Sequence, residues 1–149
     1  MNTTRYATPE EAEQAFYDAF EAADVNAMMD VWAPRDFVEC IHPMSDRVQG
    51  TDSIAASWRE IFSSGLRVRI RRTDIHRTQD ALLAIHVLYE YLSISGGKEQ
   101  MAPVIATNIY QLIAGSWRMV LHHASPAARG ESERQQRTPG SSRDQHQLH

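Results

Sequence analysis

Apolar positions along this chain change period once. Through the first sixty residues they recur every three or four positions, the spacing of a helix; beyond residue 66 they alternate, the spacing of a strand. Thr8-Pro9-Glu10-Glu11 opens a first helix, with Thr8 as N-cap, Pro9 in the first turn and Glu11 closing a capping box. Ala12, Ala15, Phe16, Ala19, Phe20 and Ala23 follow as one buried stripe. A break at Ala23-Asp24 leads into a short second helix with Ala27, Met28, Val31 and Trp32 inward, which Pro34 ends. A short strand over residues 37–42 precedes a third helix. That helix starts after Gly50 with Thr51 as cap, carries the stripe Ile54, Trp58, Ile61 and Phe62, and stops at Gly65.

The second half reads as strands. Leu66, Val68 and Ile70 alternate with Arg67, Arg69 and Arg71, a half-buried strand with a cationic outer face. The apolar parity then shifts, which predicts a bulge near Arg71-Arg72. Residues 81–94 form a long strand with apolar side chains at both parities (Leu83, Ile85 and Val87, but also Leu82 and Leu88), as a strand covered on both faces would. Ser95-Gly96-Gly97-Lys98 is a hairpin turn into a return strand over 100–113. Ala114-Gly115-Ser116 turns again into a last strand over 117–125. Helices kept apart from an antiparallel meander predict an α+β fold, three N-terminal helices packed on a strongly curved antiparallel sheet, with a cone whose mouth is an apolar pocket. His86, Leu88, Glu90 and Leu92 share one sheet face. With Leu88 and Leu92 outward that face exposes an apolar patch, so a homodimer through the outer sheet face is expected.

Composition narrows the classes of function. The 149 residues are 42% apolar and 23% charged, an ordinary globular balance for one domain. Fifteen Lys and Arg against nineteen Asp and Glu give a net charge of −4, without the basic excess that phosphate backbones demand, so no nucleic-acid partner is expected. The single cysteine, Cys40, excludes an internal disulfide framework and a multi-cysteine zinc site. No run approaches the roughly 20 apolar residues of a membrane span, and residues 1–10 lack an apolar signal core; a reducing cytoplasm is expected. Residues 126–149 contain one large aliphatic side chain, Leu148, and read as a disordered tail behind a domain over 1–125.

Candidate chemistry centres on histidine. His42, at a strand end before Pro43, titrates near neutrality and can take or give a proton. In the adjacent pair His122-His123 only one ring can face inward. Trp117, Met119 and Leu121 share parity with His123, which is therefore placed inside. Tyr89, Tyr110, Trp32 and Trp58 offer aromatic surface with polar tips that could orient a small apolar ligand. No metal-ligand spacing, Gly-rich phosphate loop or CxxC motif is present, so neither metal nor cofactor is expected.

The chain resembles the NTF2-like superfamily in its SnoaL-like and ketosteroid-isomerase-like branches. The resemblance rests on TPEEAEQAFYDAFEAADVNAMMDVWAP, VECIHPMSDRVQGTDSIAASWREIF and APVIATNIYQLIAGSWRMVLHHASP, about residues 8–126. It implies the cone fold and a catalytic place for His42, where the isomerases carry a carboxylate base. It places Asn108 where they carry a protonated acid, and Phe16, with Tyr17 beside it, where they carry a tyrosine donor. Two classes of function follow. One is cofactor-independent proton transfer on a small apolar ligand, as in an isomerase, dehydratase or cyclase. The other is a non-catalytic ligand-binding or dimerisation module on the same fold.

Overall fold

The computed structural model of the chain describes residues 4–94 and 102–128. Helix α1 spans Pro9–Ala22, capped by the Thr8 side chain, which accepts from Glu11 N. Ala23 ends it in the left-handed region (φ 53°), and Asp24 caps α2 (Val25–Val31) by accepting from Ala27 N. The short strands β1 (Glu39–Ile41) and β2 (Arg47–Gln49) precede helix α3 (Thr51–Phe62). Thr51 is not the cap. Gly50 holds that place at φ +90°, and the Thr51 hydroxyl instead donates to Arg35 O. Of the predicted α3 stripe Ile54 and Trp58 are buried, but Ile61 lies outside.

Strands β3 (Val68–Gln79), β4 (Leu83–Ile94), β5 (Val104–Ile113) and β6 (Ser116–Pro126) form an antiparallel meander, and β1 joins its far side in parallel with β6. The six strands run in the order β2-β1-β6-β5-β4-β3 under the three helices, as an α+β cone. The predicted turn over 95–98 lies outside the described residues, as does the predicted tail from residue 129 onward. Among the described residues, no helix is long and apolar enough to cross a membrane.

Three parity assignments differ from those read in the sequence. The β3 bulge falls between Thr73 and His76, with Asp74 at φ 52°, rather than at Arg71-Arg72. In β4 the face that carries Ala84, His86, Leu88 and Glu90 is buried, whereas Val87 is exposed and Ile85 and Tyr89 half-buried. The mixed face thus points into the cone, and the more apolar face points out. In β6 a bulge gives the strand one extra residue, Val120, between the pairs Tyr110↔Met119 and Ile109↔Leu121. Trp117 and Met119 face inward before it, and His122 and Ala124 after it; His123 is turned out and exposed. Unbroken alternation across Val120 was the source of the opposite expectation for the two histidines.

Candidate functional site

The register sets a polar row across the inner face of the sheet. Cys40 of β1 pairs with His122 of β6, His122 with Asn108 of β5, Asn108 with His86 of β4, and His86 with Arg77 of β3. Helix α1 lies over this row with Glu13, Phe16 and Tyr17 buried. Burial without partners would cost each of these polar groups several kcal/mol, so they bond to one another.

Three of them, with Glu90 of β4, form one chain of hydrogen bonds. Tyr17 Oη donates to Glu90 Oε2 at 2.6 Å, and Asn108 Nδ2 donates to Tyr17 Oη at 2.9 Å. Asn108 Oδ1 then faces His122 Nδ1 at 2.6 Å. Because the amide turns its nitrogen to Tyr17, the network assigns the proton of that last bond to His122 Nδ1. Burial pushes Glu90 up to about 7, against the opposing pull of the Tyr17 hydrogen bond and the Arg72 charge. Burial pushes His122 down to about 3, with the charges of His42 and His123 adding to it, so the ring is neutral. Tyr17 stays protonated well above the ordinary phenol range, first through burial and then through the Glu90 charge. Tyr110 Oη is buried beside Asn108 but outside hydrogen-bond geometry.

A second cluster surrounds Glu13. Its Oε1 takes His86 Nδ1 at 2.7 Å, and its Oε2 takes Arg72 Nη1 at 2.5 Å and Arg77 Nη2 at 3.1 Å. Burial raises this carboxyl, but the His86 hydrogen bond and the Arg77 and Arg72 charges outweigh it and hold it below its ordinary value. Arg72 also lies over the Tyr17 ring, 4.7 Å from its centre, and so joins the two clusters.

His42 lies at the edge of this interior. Its Nε2 is 3.1 Å from Ser57 Oγ, whose own proton goes to Ile54 O at 2.8 Å, so the imidazole donates. Cys40 Sγ is 3.6 Å from the same nitrogen. Burial lowers the His42 pKa and pushes the Cys40 thiol up to about 12, which keeps it a thiol. The Trp58 ring stands 4.8 Å from the His42 ring and 6.1 Å from the His122 ring. Phe16, Phe20 and Phe62 pack on Trp58 at 5.0–5.7 Å. Phe16, Trp58, Asn108 and Tyr110 are 0% exposed, so no water-sized space touches them. Around Trp58 the described side chains pack ring against ring.

The structure thus gathers Phe16, Tyr17, Trp58, Asn108 and Tyr110, with His42 at the margin. Trp32 is buried near the start of β6, where it bridges Met119. Tyr89 belongs to the outer face, because its neighbours Leu88 and Glu90 point in, and His123 is outside; neither is an interior ligand residue. Glu13, His86, Glu90, Arg72 and His122 were not read as site residues. The signal was the spacing Glu13/Tyr17 on one helix, two polar positions flanking Phe16 on its buried stripe. Among the described residues no group of three or more His, Cys, Asp and Glu could hold a metal ion.

Comparison with known proteins places this architecture. The Thiobacillus denitrificans protein named for the calcium/calmodulin-dependent protein kinase type II association domain is 40% identical, with a TM-score of 0.76 over 83% of this chain and 98% of that one. An NTF2-like family protein from Streptomyces avermitilis, named a dehydratase, has a TM-score of 0.73 at 24% identity, over 81% of this chain and 95% of its own. The Arabidopsis thaliana F-box protein SKIP8 is 27% identical over 112 residues, 74% of this chain; the chain spans 46% of that protein's length. The model of the SnoaL-like domain matches residues 10–129, and the chain belongs to this SnoaL-like family of the NTF2-like fold.

Proposed function

We propose that this chain is a self-association module that pairs with a second copy through the outer face of its sheet. One observation carries the reading: the inner face of the sheet takes up a row of buried polar groups, and branched apolar side chains are left on the outer face. The inner face carries Glu90, His86, Asn108 and His122, bonded to α1 and to each other. The outer face carries Ile85, Val87, Ile105, Ile109 and Leu121, all partly open to solvent, with Thr107 and His123 among them. Thr78, His76, Glu39 and Ser125 stand around them as a polar rim. Clustered branched apolar side chains mixed with polar ones and left open to solvent are of the kind that a protein interface covers. The name of the 40% identical relative, an association domain, supports the same reading. Light scattering at micromolar concentration tests it: a mass of at least twice 16.9 kDa is expected, and a monomer throughout would overturn it.

A second reading, proton transfer on a small apolar ligand, has one observation in its favour. The chain Glu90–Tyr17–Asn108–His122 ends on a ring whose pKa burial lowers, with the His42 charge adding to it, and so gives His42 a buried polar neighbour. It requires the aromatic filling around Trp58 to open. Native mass spectrometry of the purified protein decides it: a co-purified small molecule lost on His42→Gln supports catalysis or ligand binding, and a bare polypeptide mass opposes both.

A further inference from the structure

A cleft of about 430 Å3 opens at the end of the molecule away from Glu90. Its walls are the segment leading into α1, the exit from α2 and the β5–β6 turn, and its lining includes Arg5, Arg35 and Arg118 but no Asp or Glu. Three guanidinium groups around one cleft are unexpected in a chain of net charge −4.

Each arginine has a structural reason to be there. Arg118 is 8% exposed and donates to the carbonyls of Asp30 and Thr4, with its guanidinium 5.2 Å from the centre of the Tyr6 ring. Carbonyls satisfy two of its five N–H donors, and among the described residues no carboxylate oxygen pairs with it directly. Arg35 Nη1 donates only to Pro34 O, at 3.2 Å. Arg5 rests on the turn: a Cβ at Gly115 would come 3.0 Å from Arg5 Nη1, so the glycine leaves room for the guanidinium. Gly115 and Ala114 both have positive φ, as a tight two-residue hairpin turn requires. Among the described residues none of the three arginines forms an ion pair with a carboxylate.

We propose that this cleft binds a small molecule carrying more than one oxyanion group, phosphoryl or carboxylate. Guanidinium groups match such oxygens in a fixed fork, and three of them line this one cleft. The Asp30 and Asp36 side chains are not among the residues that line the cleft. The site is separate from the outer sheet face, so its test does not depend on self-association.

Titration of the full chain with inorganic pyrophosphate and, separately, with citrate is followed by amide chemical shifts and by calorimetry. Saturable binding by either probe is expected, with shifts at Ala114, Gly115 and Ser116 and weakening as salt rises. Arg5→Ala and Arg35→Ala should each weaken it roughly tenfold. Arg47→Ala, which removes an exposed arginine paired with Glu39 outside the cleft, should leave it unchanged. Binding of pyrophosphate alone would assign the site to phosphoryl ligands, and of citrate alone to carboxylates. Absence of saturable binding, or binding that survives both cleft variants, would overturn the proposal.

Discussion

Tyr17 Oη donates to Glu90 Oε2 across 73 positions of sequence, and this bond fastens helix α1 to strand β4 inside the cone. Both residues are at most 2% exposed. The carboxyl is therefore neutral or charged in a place where water cannot screen it, and the docking of α1 becomes sensitive to pH.

The first prediction concerns Glu90→Gln. The folded state binds the Glu90 proton more tightly than the unfolded state, because burial raises the group from 4.5 to about 7. Its contribution to stability is complete below about pH 4.5 and is lost as pH rises through 7. His122 acts in the opposite sense: lowered from 6.5 to about 3, it stabilises above pH 6.5 and loses that contribution as pH falls. The glutamine keeps an acceptor for Tyr17 and removes only the first effect. Urea denaturation across pH 4–8 should show the variant gaining roughly 3 kcal/mol on the parent as pH rises. Parallel curves would contradict the raised pKa.

Glu13 is tested by removal. It holds Arg72, Arg77 and His86 from a position 1% exposed, and its loss leaves the fully buried His86 ring without that acceptor and Arg72 with Gln14 alone. Glu13→Ala should cost about 3–5 kcal/mol at pH 7 in thermal or urea unfolding. Its depressed pKa fixes the sign: the contribution is present above about pH 4.5 and lost as pH falls through the lower folded value, so parent and variant converge in acid.

Association is tested at Val87, which is 38% exposed on the outer face. Val87→Asp should give a folded monomer, with unchanged far-ultraviolet circular dichroism and the mass halved or further reduced. Leu66→Asp, an equally drastic change at an exposed residue just before β3, should leave the mass as it was. A variant at Val87 that still associates places the interface elsewhere.

His42 should titrate below 6.5 by nuclear magnetic resonance, since burial disfavours its imidazolium. Its contribution to stability then declines as pH falls, and His42→Gln should flatten that decline. An ordinary pKa at His42 would show the ring to be open to solvent.

Local signals were legible where local rules decide. Thr8, Pro9 and Asp24 set the helix ends as their side chains predict, and Pro34 stops the second helix region. Gly50 took the cap from Thr51 because its φ of +90° favours glycine. Strand faces were harder. Alternation assigns the apolar set of β4 to the core, yet the core takes His86 and Glu90, because Glu13 and Tyr17 arrive from a helix 73 positions away to bond them. No window of sequence contains both halves of such a pair. The candidate site was accordingly legible at Asn108, Tyr17 and His42, and hidden at the residues that complete their hydrogen bonds.

The extra residue of β6 bears on how this chain can change in length. Elsewhere in a strand, losing one residue carries every following side chain to the opposite face. At Val120 the loss would leave a regular ladder, with Met119 still opposite Tyr110 and His122 still opposite Asn108. The middle of a central strand, where a deletion is ordinarily ruinous, thus contains one position at which it keeps the register with β5. Lineages that differ by a residue here can share the same interior.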